Sequence, residues 1–493
     1  VRFRPSSWII ATLLAGAATA IWISRRMCLD DALIHLRIAH QLLAHGYYSF
    51  NGDGPTYSTS SPGYTALLAA LSLFFAGPML PKILGELIYA GLIMALALRA
   101  LHQRNAAARW LTVAFLAAVA SPIGVRWLAD GMETGLIAAV ALLYSRIAYD
   151  IGRAETPGSW AGALLTAALA MLATLLRVEF CFLAAIILAA DWAQRRSVVP
   201  HGRAIALCAG AALGLGLIYI IFGSVLPDTA IAKAALAPNT SPASQALATL
   251  FNVMKTQAAA SLFGALLLLC LLLSFLGAVR RRAATPFIGV LNASFLVFVA
   301  LVVVRHQAVQ GIRYFVFLEF FLISFNLHAL DGASPAALRP VSLSPTLKPW
   351  AIGCAAVVAI TWYALDFSRL RAISAGRTAT FARFRELDLA DLRGRTGIAW
   401  DVGMIGYFSD GLILDGNGLV NGRRIARTLV RDRLEEFVRD HRVDFVFANE
   451  EQAQELAGLL STKGWIARGS FDFPNFDGAP DRHVLLVRPS ARR

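Results

Sequence analysis

Charge is the first thing this sequence has little of. Only 15% of its 493 residues are Asp, Glu, Lys or Arg, 57% are hydrophobic, and mean hydropathy is +0.60. An ordinary soluble domain carries about a quarter charged residues, so that class is excluded and a multi-span, mainly α membrane protein is expected. Negative charge is the scarcer kind: 31 acidic residues stand against 45 basic ones, for a net charge of +14. Nucleic acid is not the expected partner, because many of the arginines sit in short gaps between apolar runs, where membrane topology and anionic headgroups account for them. Cysteine is scarce too. Cys181, Cys208, Cys270 and Cys354 lie inside apolar runs and Cys28 at the edge of one, with neither metal-ligand spacing nor an evident pairing. There is no internal repeat.

What is present is a series of apolar runs near the ~20 residues that cross a bilayer: 7–24, 83–101, 110–127, 134–149, 159–176, 180–193, 204–222, 259–279, 286–304, 312–330 and 350–366. They predict about eleven transmembrane helices over 1–366. The first run is followed by Arg25 and Arg26 rather than by a small-residue cleavage pattern, and is expected to be an uncleaved anchor. The stretch from Tyr64 to Ala76 is about 13 residues long and suits a re-entrant or interfacial helix better than a span. With that assignment, Arg104 and Arg109, Arg195, Arg196 and Arg203, Arg280 to Arg282, and Arg339 with Lys348 all fall on the side of Arg2 and Arg4, which is the positive-inside pattern. The outer side receives the loop 27–82, the turns at Glu133 and at Arg177 to Glu179, the loop from Gly223 to Ala258, the gap from Arg305 to Gly311, and the tail 367–493. The tail is expected to be a soluble α/β domain. Strands are predicted at Gly397–Asp401, Leu412–Asp415, Val443–Ala448 and His483–Val487, and helices at Asp432–His441 and Glu451–Lys463. Asp331–Pro349 is the nearest thing to a linker.

The outer segments collect the exceptions to the shortage of charge. Asp30 and Asp31 open an amphipathic helix whose apolar positions 33, 34, 38, 42 and 43 share one face. One carboxylate can simply cap that helix, while two adjacent ones repel, which raises a pKa and makes a proton acceptor. The turn-rich segment Gly52–Gly63 follows, then Glu133, Arg177, Glu179, Lys233 and Arg313 at the ends of spans. Each alone is an ordinary terminal charge that snorkels into headgroups; gathered on one face, they suit a substrate carrying a phosphate and hydroxyls.

At these residues the sequence resembles the GT-C superfamily of membrane glycosyltransferases, which take a sugar from a polyprenyl phosphate on the outer face. The resemblance is carried by Asp30 Asp31 Ala32 with Arg37 and Gly46, Ser61 Pro62, Gly131 Met132 Glu133 Thr134, Arg177 Val178 Glu179, Leu226 Pro227 Asp228 Thr229 with Lys233, Arg313 Tyr314, and, in the tail, Asp401 to Tyr407 and Asp415 to Leu419. Order and spacing look most like the arabinofuranosyltransferases of cell-wall and pilin glycosylation. Val178, His35 and Asp228 depart from the resembled motifs without removing a charged group.

The resemblance implies an inverting transfer of a sugar, arabinofuranose by this likeness, to a hydroxyl of a glycan, lipid or protein. Asp30 or Asp31 would serve as base, with Asp30 favoured by the resemblance. Arg177, Lys233 and Arg313 would hold the donor phosphate, and His35, Arg37, Glu133 and Glu179 would orient those cations or the sugar. No cofactor is implied as required. A divalent ion stays open, although the acidic pair lacks the further nearby carboxylates such a site wants. Membrane lipids are expected partners, and a bacterial inner membrane, with the active site and tail on the periplasmic or extracellular side, is the expected location. Two rivals remain. A transporter or flippase of a lipid-linked sugar predicts discontinuous helices and polar groups near mid-membrane, and a lipid-headgroup hydrolase would share the cationic pocket but use water. For the tail, an acceptor-binding module and a stabilising cap are both open; Trp465, Phe471, Phe473 and Phe476 are expected to be core more than sugar platforms.

Overall fold

The computed structural model describes residues 5–153, 159–195, 201–235, 262–280, 286–294, 316–331, 347–427, 430–457, 460, 465–474 and 480–489. Helices dominate up to residue 386: α1 (Pro5–Ser24), α2 (Asp30–His45), α3 (Pro62–Ser72), α4 (Leu80–His102), α5 (Ala106–Val119), α6 (Pro122–Leu128), α7 (Thr134–Arg153), α8 (Trp160–Leu176), α9 (Phe180–Arg195), α10 (Gly202–Phe222), α11 (Asp228–Ala235), α12 (Leu262–Arg280), α13 (286–294), α14 (Val316–Asp331) and α15 (Leu347–Glu386). By length and composition, α1, α4, α7 and α10 suffice to cross a membrane, and the pair α5 and α6 makes up to five. Trp8 and Trp22 of α1, Leu164 and Leu165 of α8, and Leu213 and Ile220 of α10 are exposed, an apolar exterior that only a lipid surrounding satisfies. The chain is a multi-pass membrane protein. Parts of the runs expected at 259–279, 286–304 and 312–330, and most of the linker, lie outside the described residues.

Two features depart from the sequence expectation. The run 110–127 is broken: α5 and α6 meet at 72°, because Ser121 caps α6 by accepting the Gly124 amide at 3.1 Å and Pro122 occupies its first turn, where proline lacks the N–H that would continue α5. The Tyr64–Ala76 segment does not depart: it forms α3, at 11 residues well short of a span. And the last apolar run does not stop at 366. It continues as one 40-residue helix to Glu386, about 60 Å long against a hydrocarbon core of ~30 Å, so the boundary placed at 366/367 falls inside a helix.

After α15 come β1 (Thr396–Ala399), α16 (Val402–Ser409), β2 (Leu412–Asp415), α17 (Arg423–Arg427), α18 (Val430–Asp440), β3 (Phe445–Asn449), α19 (Glu450–Ala457), β4 (Ile466–Pro474) and β5 (Pro480–Val487). The strands form one sheet in the order β2-β1-β3-β5-β4, parallel across β2, β1 and β3 and antiparallel across β3, β5 and β4. Alternation along the strands gives it two apolar faces. Ile413, Phe445, Phe447, Leu485 and Val487 join a core continuous with the helical bundle, while Ile398, Leu414, Val446 and Ala448 pack with Leu434, Phe437 and Leu456 of α18 and α19. The seam is aromatic. Phe384 of α15 stacks on Phe471 at 4.4 Å and meets Phe447 edge-on at 5.5 Å, so Phe471 is core. Trp465 lies under the Arg488 guanidinium, 5.3 Å from its centroid, and the Phe473 side chain and Phe476 lie outside the described residues.

Candidate functional site

The site is built around α2, which lies between the bundle and the tail. Asp30 and Asp31 begin it, and Gly46, at φ 76°, ends it with its amide on the Leu42 carbonyl. Asp30 is buried. Its Oδ2 accepts the amide of Gly403 at 2.8 Å and its Oδ1 that of Met404 at 2.6 Å, so a carboxylate of the first loop binds the N-terminus of the tail helix α16. Seven residues on, Arg37 donates to the carbonyls of Gly406 and of Gly411 (2.7 Å), and to that of Phe50 (2.6 Å), with its guanidinium over the Phe50 ring. A carboxylate at one end of α16 and a guanidinium at the other complement its dipole at both poles. Glycine is required at the contact, since a Cβ on Gly403 would lie 1.9 Å from the Asp30 carbonyl oxygen.

Burial is the largest influence on the Asp30 carboxyl and raises it, the charge of Asp401 raises it further, and the Met404 and Gly403 amides pull it down on either side of a smaller push from Asp31. The result is about 7. Asp401 ends the β1 turn, is 43% exposed at its side chain, and its Oδ2 lies 2.9 Å from Nε2 of fully buried His483 on β5. Burial lowers the imidazole, but the hydrogen bond and charge of Asp401 prevail and hold it above its usual 6.5. Cys28, just before α2, is a buried thiol pushed up to about 12 by burial and by Asp30, which excludes it as a nucleophile.

A second polar chain starts one turn along α2. His35 Nδ1 lies 3.1 Å from the hydroxyls of both Thr59 and Thr65, and its Nε2 faces Glu133 Oε2 at 3.5 Å. Glu133 Oε1 accepts from Arg177 at 3.1 Å, and Arg177 grips Glu179 with two further N–H groups. Burial raises the Glu179 carboxyl, yet the charge and hydrogen bonds of Arg177 bring it below its ordinary value. Glu133 is placed by α6 and by Gly131, whose φ of 93° puts it in the left-handed region, whose carbonyl accepts the Tyr64 hydroxyl at 2.6 Å, and where a Cβ would come within 3.0 Å of the Lys82 amide.

Four of the residues singled out from the sequence, His35, Glu133, Arg177 and Glu179, are therefore brought into one connected chain. Asp30 and Arg37 are joined instead through α16, and Asp31 is half-buried on the next position of α2. Lys233 sits on α11, and nothing is described of its side chain; Arg313 lies outside the described residues.

Sequence inspection missed Lys82, whose fully buried ammonium donates to the Ala129 carbonyl at 2.7 Å and lies 3.3 Å from Glu86, and buried Arg126. A lysine directly abutting the apolar run 83–101 was the available signal for the first. Asp401, Gly403 and His483 carried no role, because nothing local says that a tail turn reaches a residue over 370 positions earlier. Among the described residues, no group of three or more His, Cys, Asp or Glu is placed to hold a metal ion.

This multi-pass bundle, with its acidic pair in the first loop and a sheet docked on that loop, shares its fold with a solved membrane protein. Over 99% of its length the chain superposes on 99% of ArnT from Cupriavidus metallidurans, solved bound to undecaprenyl phosphate, with a TM-score of 0.56 at 13% identity. It also aligns over 96% of its length with 74% of the Archaeoglobus fulgidus oligosaccharyltransferase, solved tethered to an acceptor peptide, with a TM-score of 0.48 at 13% identity. No family model matches the sequence, and no curated protein matches it.

Proposed function

We propose that the protein is a GT-C membrane glycosyltransferase that moves a sugar, arabinofuranose by resemblance, from a polyprenyl-phosphate donor to a hydroxyl of a glycan, lipid or protein acceptor. Fold alone does not assign chemistry. The observation that carries the proposal is Asp30: a carboxylate buried, fixed by two amides and raised to about 7, which is the environment a general base needs to act near neutral pH. Each oxygen uses one lone pair on an amide and keeps another for an incoming proton. In the transfer, Asp30 takes the acceptor's hydroxyl proton as that oxygen bonds the anomeric carbon. The bond from that carbon to the phosphate oxygen breaks on the opposite face, and its electron pair leaves with polyprenyl phosphate.

Lys233 and Arg313 are proposed as ligands of the departing phosphate. Arg177 is less suited to that task than the sequence alone suggests, since Glu133 and Glu179 already neutralise it; its proposed work, with Glu133 and His35, is to orient the sugar. Asp31 is the second carboxylate, one residue from the base, and its charge helps keep Asp30 poised. The eleven spans, the inner-membrane location with the site facing outward, and the tail as an α/β module of that face belong to the same proposal.

The test is transfer by purified protein from a panel of labelled polyprenyl-phosphate sugars. Asp30→Asn is expected to lower kcat at least about 10²-fold, the usual worth of a general base, with donor affinity retained. Full transfer by both Asp30→Asn and Asp31→Asn would remove the base, and a wild type that moves lipid-linked sugar across a vesicle without consuming it would favour the flippase.

A further inference from the structure

The parallel part of the tail sheet has the order β2-β1-β3. The chain leaves β1 for β2 on one side and reaches β3 on the other, so the carboxyl ends of β1 and β3 flank the point where strand order reverses. In open α/β sheets, ligands bind in that crevice, with anions at the N-terminus of the helix that follows the first strand. Here the crevice already has an occupant from the same chain. α16 follows β1 directly, and the anion on its first amides is the Asp30 carboxylate. Asp401, at the end of β1, reaches across to His483, which pairs in register with Asn449 at the end of β3, so an Asp–His pair closes the crevice beside the occupant.

We infer that the tail is a working part of the transfer site: its sheet crevice grips and orients the Asp30 carboxylate, and Gly403, Asp401 and His483 are positioning residues for the base. The inference rests on the assignment of Asp30 as that base, and it makes the tail neither a passive cap nor solely an acceptor module. The charges that bear on Asp30 are those of Asp401 from the tail, whose partner is His483, and of Asp31 on its own helix, and the uncharged thiol of Cys28 lies close by before α2. Lys82 of α4, Arg377 of α15 and Asp130 of the turn before α7 surround that same thiol. Of these, Asp401 and His483 can be altered without touching the bundle.

The two substitutions should move the base in opposite directions. Asp401→Asn removes a negative charge whose presence raises Asp30, so the acidic limb of the kcat profile shifts to lower pH. His483→Gln removes the hydrogen-bond partner of Asp401 and, wherever the imidazole is protonated, the cation that offsets it, so the limb shifts to higher pH; each shift is on the order of one pH unit. Gly403→Ala places a methyl against the Asp30 backbone and is expected to cost roughly 10²-fold in kcat, the usual penalty for about 1 Å of misplacement, with donor KM retained.

Circular dichroism and melting of each full-length variant in detergent establish that it is folded. Loss of activity through damaged structure alone would lower the plateau and leave the limb in place. Wild-type transfer combined with unmoved limbs, or with limbs moving the same way in both variants, overturns the inference and leaves the enzyme reading standing. Absence of transfer from every donor overturns that reading and this inference with it.

Discussion

At the scale of the residue, the scarcity of charge makes each buried ionic group expensive, and the site is where that expense is met by partners. Arg177 lies between Glu133 and Glu179, with all three largely buried. Replacing it by Met removes the cation that two carboxylates share, and we expect a loss of about 3 kcal/mol or more, read as a fall in melting temperature larger than that of the Arg177→Met/Glu133→Gln/Glu179→Gln triple variant. The titration of Asp30 predicts that transfer rises as pH is raised through about 7, because only the ionised carboxylate accepts a proton. His483 obeys the opposite sign. Its folded-state value lies above 6.5, so its pairing with Asp401 stabilises the fold fully below that pH and stops doing so as pH rises through the elevated value. The melting temperature of wild type should therefore exceed that of His483→Gln by more at pH 6 than at pH 9.

At the scale of the element, legibility followed how local the cause was. β2 lies at Leu412–Asp415 as its apolar run and flanking glycines indicate, and α2 carries its apolar face as periodicity requires. The break between α5 and α6 was written in Ser121 and Pro122 but outweighed by hydropathy, which averages over a window and cannot see a cap. β4 escaped notice because Ile466–Pro474 mixes Arg468, Gly469 and Asp472 into its run and owes its place to β5 and α15. Close packing was equally hidden. On α10, a Cβ on Gly210 would lie 2.0 Å from the Ala167 carbonyl oxygen of α8, so these two backbones touch as small-residue membrane helices do. Gly210→Leu should force them apart at a cost of about 1–3 kcal/mol, measurable as a lower melting temperature in detergent, whereas Gly216→Leu, whose Cβ would meet nothing within 4 Å, should change little.

At the scale of the whole molecule, the unevenness of the charge became an architecture. One face of the sheet shares a core with the bundle, and the tail is fastened to the loops between helices at several points: the α16 contacts, Asn51 exchanging hydrogen bonds with the backbone of Ile413, Ser58 on the Val420 carbonyl, and Arg423 on Ser224, Leu226 and Asp228. Sequence reading separated the two parts because their compositions differ; it had no means of seeing that Asp30, the residue favoured as base, is one of the points at which they join. Asp30, Asp31, Glu133, Arg177 and Glu179 stood out in the sequence as charges in an apolar chain, while the Gly403 and Met404 amides that Asp30 binds, over 370 positions away, did not. The central claim is that Asp30 is a base raised by its burial and held by the tail, and the pH dependence of single-turnover sugar transfer from a labelled polyprenyl-phosphate donor tests it most directly. The account predicts an acidic limb near pH 7 that moves down in Asp401→Asn and up in His483→Gln; a rate that is flat through neutral pH, or undiminished in Asp30→Asn, would contradict it.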